Sequence, residues 1–195
     1  MIDLNKIDVK DKSPIFNNGK AGEVIVDFKV EKKDPADTTK SPDWNVFFTD
    51  SEGRYIKEGL YYLEPSFYDS GEKFKNRLNF EALKLKHYVN AFYGKDFEFP
   101  AFSTPKEMLD GCMELLQKHN GEKVKIGVTF GTEKRPSKNG YLALKSTFPF
   151  ITTDLDGEIN FSKIDLMERP TPSTPKTDND TPSYKGGSES LPWDQ

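Results

Sequence analysis

The sequence predicts a mainly-β fold: five strands closed into a Greek-key barrel, two helices between the third and fourth strands, and a tail that does not pack. Three observations predict it. Apolar and polar residues alternate in several stretches, the period of a strand with one face buried. Between the third and fourth of these the apolar spacing lengthens to three and four residues, as on a helix. From Arg169 onward the composition turns to Pro, Ser, Thr, Gly and Asp, with almost no apolar residue until Leu191. Such a segment buries too little surface to offset its ordering entropy.

Each element has its own justification. In EVIVDFKVEKK (23–33), Val24, Val26, Phe28 and Val30 alternate with Ile25, Asp27, Lys29 and Glu31, giving the first strand. Pro35 and Pro42 keep the next stretch, DPADTTKSPD, out of a central strand. WNVFFT (44–49) reads as the second strand, DSEG (50–53) as a turn, and RYIKEGLYYL (54–63) as a third strand with a bend at Gly59. Leu78, Ala82, Leu85, Val89 and Phe92 then mark a helix that Gly94 stops. Thr104, Pro105 and Glu107 supply an N-cap, a first-turn proline and an acid three residues after the cap. The helix they open has Met108, Leu109, Cys112, Leu115 and Leu116 on its apolar face, and HNG ends it. Val124, Ile126, Val128 and Phe130 face inward on a fourth strand. Leu142 and Leu144 do so on a fifth, with Phe148 a further candidate.

Composition bounds the function. A chain of 195 residues fits one domain with appendages: a leader at 1–19, a domain at 20–168 and a disordered tail at 169–195. Its one cysteine, Cys112, allows neither an internal disulfide nor a thiolate metal site, and points to a reducing compartment, the cytoplasm. No stretch approaches the roughly 18 apolar residues of a membrane span, and the first residues hold no apolar signal core. The formal net charge is −4, yet residues 118–145 carry seven Lys/Arg against two acids, while residues 146–168 carry one lysine against five acids. That segregation suits an anionic partner, although lysine-protected strand edges give the same pattern.

Catalysis finds little support. His87 and His119, the two histidines, fall in helical sequence, and Cys112 falls among apolar residues. G-x-S-x-G, H-E-x-x-H and a phosphate loop are missing from the sequence. DLDGEINFSKID (154–165) has Ile159 where a calcium loop needs glycine and Asp165 at its last ligand position, so Asp156-Gly157 reads as a turn. The expectation is a non-enzymatic protein with no cofactor and no metal.

Three strands, a helical connection and two strands is the order of the OB-fold. In that fold the loops after the first and fourth strands flank the oligonucleotide-binding face. Here they are residues 33–43 and GTEKRPSKNG (131–140), the latter bearing Lys134, Arg135 and Lys138. Alternation puts Lys123, Lys125 and Thr129 outward on the fourth strand, and Tyr141, Lys145 and Thr147 outward on the fifth. Phe47 and Tyr55 join that face if Val46 and Phe48 are core, while Trp44 fits either face. Lysines interleaved with aromatics neutralise phosphates and stack on bases. With 15 Phe, 8 Tyr and 2 Trp, most aromatics must pack the core, so each of these rings has a core alternative.

The element order over residues 20–153, the basic hairpin and the tail end SESLPWD together resemble the single-stranded-DNA-binding proteins of bacteriophages and bacteria. The long two-helix insert is more similar to the phage versions. The resemblance implies sequence-non-specific coating of single-stranded DNA during replication, recombination or repair, in a bacterial host's cytoplasm if the chain is phage-encoded. It also implies a tail tip that recruits replication or recombination proteins. Carried over, Glu189 is the acid of that tip, Leu191 the aliphatic residue, Pro192 the proline and Trp193 the aromatic, with Asp194 following. The alternative is a non-enzymatic protein–protein adaptor or phage accessory factor built on the same barrel. Preference between DNA and RNA, site size and oligomeric state stay open.

Overall fold

The computed structural model describes residues 16–37, 39, 41–68, 70–130, 142–144, 150–163 and 167–168, those of 142–144 as backbone only. The elements are β1 (Gly22–Lys32), β2 (Trp44–Thr49), β3 (Tyr55–Leu60), α1 (Gly71–Tyr93), α2 (Pro105–Gln117), β4 (Lys123–Phe130), β5 (Leu142–Leu144) and β6 (Ile151–Thr152). All ladders are antiparallel, in the order β3-β2-β1-β4-β5, and β6 also pairs with β4. The fold is mainly β with two helices between β3 and β4, as the apolar periods predict. The sheet is open: among the described residues no ladder joins β3 to β5. Those two strands nevertheless come within 8 Å of each other, Cα to Cα.

β1 sets the shape. Its residues 22–27 pair with β4 and its residues 27–32 with β2, so the two halves of the sheet are offset along it. Beyond Asp27 the β4 side of β1 is continued by the turn after α2. Gly121 N–H donates to Phe28 O at 2.8 Å, and Asn120 closes both bonds to Val30, accepting from its N–H at 2.7 Å and donating to its carbonyl at 3.0 Å. The HNG that ends α2 thus also supplies a substitute for strand residues.

The predicted alternation of β1 holds: Val26, Phe28 and Val30 are buried, while Glu23, Ile25 and Lys29 are exposed. On β2 the buried parity is Trp44, Val46 and Phe48. Phe28 packs against Phe48 at 5.8 Å and Phe92 at 4.8 Å, and Tyr88 against Phe150 at 5.4 Å, which joins sheet, α1 and the chain before β6 in one core. Truncating a ring such as Phe48 to alanine costs about 3–5 kcal/mol at a site this closed.

The helices begin and end where their caps require. Ser70 Oγ accepts from Lys73 N–H at the start of α1, and Gly94, at φ 89, ends it in a conformation that favours glycine. Thr104 caps α2 by accepting from Glu107 N–H at 3.1 Å, and the Glu107 carboxylate accepts from Ser103 N–H at 2.9 Å. Leu85, Val89, Leu109, Cys112 and Leu116 are buried as the spacing predicts, joined by Tyr88 and Met113. Two polar links fix α1 to β3: Glu58 accepts from Lys84 Nζ at 2.7 Å and from the Tyr88 hydroxyl. Burial, and next the Glu58 charge, push the Tyr88 phenol well above its ordinary value.

β4 departs from simple alternation. Val124, Ile126, Val128 and Phe130 are buried, but so are Lys125 and Thr129 on the opposite face. The cause is the segment after β6, which lies over that face. A Cβ on Gly127 would stand 3.0 Å from Ile159 Cγ2 and 3.3 Å from the Phe161 ring, so glycine there admits the close approach. Among the described residues no helix is long and apolar enough to cross a membrane.

Candidate nucleic-acid interface

Register assembles one exposed face from β1, β2 and β3. Phe47 of β2 stands opposite Lys29 of β1 on one side and Lys57 of β3 on the other. In a neighbouring row Thr49 stands opposite Asp27 and Tyr55, and Asp27 opposite Lys123. The Phe47 and Tyr55 rings meet edge-on at 5.6 Å and 72°, and Lys57 Nζ lies 5.7 Å from the centre of the Phe47 ring. Tyr55 is 58% exposed. Lys123 is exposed too and lies 3.2 Å from the Asp27 carboxylate, while Lys29 pairs with Glu31. Ion pairs this exposed are weak, so both lysines can exchange a carboxylate for a phosphate at little cost. Two presented aromatic faces with three cations around them stack bases and neutralise backbone.

Of the residues that alternation put on this face, the structure brings together Phe47, Tyr55 and Lys123. Two do not belong to it. Trp44 shares the parity of Val46 and Phe48 and is 1% exposed; its Nε1 donates to Asp110 Oδ1 of α2 at 2.7 Å. It is a core residue with a polar tether, closed to a stacking base. Asp110 also accepts from Tyr62 Oη at 2.7 Å and lies 3.3 Å from Lys32 Nζ. Burial acts most strongly on Asp110 and would raise its pKa, but the bonds from Trp44, Tyr62 and Lys32 outweigh it and hold the carboxyl below its ordinary range. The Tyr62 phenol is raised, by burial first and then by its bond to Asp110.

Lys125 is the second correction. It is 9% exposed, donates to Gly157 O at 2.7 Å and lies 3.4 Å from Glu23 Oε2. The other oxygen of Glu23 accepts from Ile159 N–H at 2.6 Å. This lysine fastens the segment after β6 to the sheet and has no free path to a phosphate. Lys134, Arg135, Lys138, Tyr141 and Lys145 lie outside the described residues, as do Glu189, Leu191, Pro192, Trp193 and Asp194.

Lys29 and Lys57 are the members that sequence reasoning missed. Their signal was present: each shares the parity of an outward neighbour, Ile25 on β1 and Tyr55 on β3. The groups considered for chemistry have structural surroundings. Cys112 is buried, which pushes its thiol up to about 11. The His119 ring stacks on Phe92 at 4.5 Å and meets Tyr93 edge-on. Burial, then the Lys86 charge, lower the pKa of His87. Among the described residues no group of three or more His, Cys, Asp or Glu is placed to hold a metal ion. No protein-family model, curated protein or solved structure matches the chain.

Proposed function

We propose that this chain is an OB-fold protein that coats single-stranded DNA, without regard to sequence, in replication, recombination or repair of the kind bacteriophages carry out. The observation that carries the reading is the Phe47–Tyr55 pair on the outer face of the sheet, Phe47 half-buried and Tyr55 exposed, with Lys29, Lys57 and Lys123 on the same face. The sheet order supports it. β3-β2-β1-β4-β5, with β1 shared between β2 and β4, is the order of a five-stranded Greek-key barrel opened at the seam where β3 and β5 approach. The aromatic pair belongs to β2 and β3, the strands whose face binds oligonucleotides in that fold. On this reading Lys134, Arg135 and Lys138 extend the face from the loop after β4 and Tyr141 and Lys145 from the fifth strand, and Leu191, Pro192 and Trp193 with Glu189 and Asp194 form a handle for replication or recombination proteins.

The test is affinity for a single-stranded oligonucleotide, its duplex and the matching RNA across a salt series. Single strands should bind most tightly, with log K falling by about 0.7 per neutralised phosphate for each unit of log salt. Salt-insensitive binding, or equal binding of duplex, would refute the reading, and the first of these results would favour an adaptor.

A further inference from the structure

A groove of about 660 Å³ opens where the chain leaves β3 and meets α1, lined by Tyr61, Phe67, Tyr68 and Arg77 with the carboxylates of Asp43 and Glu64. Its size is that of a site for one small organic ligand. Two features single it out. Tyr61 and Phe67 are 53% and 67% exposed, large rings that nothing in the core requires outside. The groove also continues the candidate face. Tyr55, Lys57 and Gly59 share one parity along β3, Tyr61 follows just past its end, and Pro42 packs on the face at Gly59, where an added Cβ would stand 2.3 Å from Pro42 Cγ.

We infer that the groove holds a terminal nucleotide of the bound single strand, which runs along β3 from the Phe47–Tyr55 pair, past Pro42, to Tyr61 and Phe67. The inference rests on the single-strand reading above and adds the direction and length of the path. The chemistry of the lining fits a nucleotide. The rings supply stacking faces, and Arg77, half-exposed and paired with Glu81, presents a guanidinium to a phosphate. Asp43 already accepts from Tyr62 N–H at 2.7 Å, yet a carboxylate has further acceptor sites, which suit the amino edge of a base. Glu81 also lines the groove and lies 3.3 Å from Lys84, so it keeps a cationic partner when the Arg77 guanidinium turns to a phosphate. The six steps from Tyr55 to Tyr61 span about 20 Å at the rise of a strand. That is about six nucleotides at a stacked rise of about 3.4 Å, and fewer where the strand is stretched.

The experiment uses the full chain and end-labelled oligodeoxycytidylates of increasing length in fluorescence anisotropy. Tyr61→Ala with Phe67→Ala should weaken the longest oligonucleotide about tenfold and shorten by one or two nucleotides the length at which affinity stops rising. Tyr61→Phe with Phe67→Tyr, which keep both rings, should restore the wild-type profile. Both side chains are exposed, so unchanged thermal unfolding is the folding control. If the alanine pair binds every length like wild type while Phe47→Ala with Tyr55→Ala loses affinity, the path is overturned and the proposed function survives. If neither pair changes affinity, the proposed function falls, and this inference with it. Free dCMP occupying the groove while a long oligonucleotide fails to displace it would assign the groove to mononucleotides and overturn the path.

Discussion

Replacing Phe47 and Tyr55 with alanine, singly and together, separates a stacking face from a structural one. Tyr55 is 58% exposed, and its recorded ring contact is the edge-on pairing with Phe47 at 5.6 Å. Its loss should cost the fold the worth of that pair, about 0.5–1.5 kcal/mol, and up to about 1 kcal/mol for the part of the ring that is covered. Phe47 is half-buried and also loses the approach of Lys57 at 5.7 Å, a further contribution of about 0.5–1 kcal/mol at an exposed site. Half-burial of the Phe47 ring adds about 1–1.5 kcal/mol, so chemical denaturation should show each single variant folded and destabilised by no more than about 4 kcal/mol. Binding should respond differently. Each ring that stacks on a base contributes about 1–3 kcal/mol, so each single variant should lose about 5- to 150-fold in affinity for single-stranded DNA. The salt slope should stay at its wild-type value, because no phosphate contact has been removed. Lys57→Gln should do the reverse, lowering the slope by about 0.7 with a smaller loss at low salt. Fluorescence anisotropy at several salt concentrations measures both quantities. Folded variants that bind within twofold of wild type at every salt concentration would refute the assignment of this face.

Trp44→Phe keeps most of a buried ring but deletes the donor to Asp110. It should cost about 2 kcal/mol of stability by denaturant titration and leave affinity for the single strand unchanged, as expected of a core residue. Asp50 accepts from the backbone N–H groups of Asn17, Glu52 and Arg54 and from the Arg54 guanidinium. Burial alone would raise its pKa, but these bonds together hold it below the ordinary 3.8, so its stabilisation is complete above that pH and is lost as pH falls through the lower folded value. Asp50→Asn should cost about 1.5–3 kcal/mol at neutral pH and flatten that acid limb in thermal melts recorded as a function of pH. Replacing Lys134, Arg135 and Lys138 together with glutamate should abolish single-strand binding at unchanged melting temperature; unaltered affinity at low salt would remove the hairpin from the binding face. Truncation after Arg169 should keep both the melting temperature and DNA affinity while eliminating capture of a replication or recombination partner, and severalfold weaker DNA binding would place the tail in the DNA site instead.

Sequence by itself determined the parities and the breaks. Two-residue alternation marked Val26, Phe28 and Val30 as one face of β1 and Val46 with Phe48 as one face of β2, because a strand turns successive side chains to opposite faces whatever surrounds it; that the β2 pair is the core face came from the folded chain. Thr104, Pro105 and Gly94 fixed where a helix starts and where one stops, because capping is decided within a few residues of the chain. Trp44 was legible by the same parity, and only its size and polar edge left its face open. Alternation does not say what covers a face, since that is set by segments distant in sequence. Lys125 reads as outward on β4, and the structure buries it because Gly157 and Ile159, more than thirty residues on, come back across the strand. Phe47, Tyr55, Lys29 and Lys57 sit on three strands, and nothing local specifies the register that sets Phe47 between the two lysines. Asn120 gives no sign in the sequence that it completes the backbone pairing of Val30, ninety residues earlier. The faces of this protein follow from its local pattern. Which of them meets solvent was decided by contacts that only the folded chain can make.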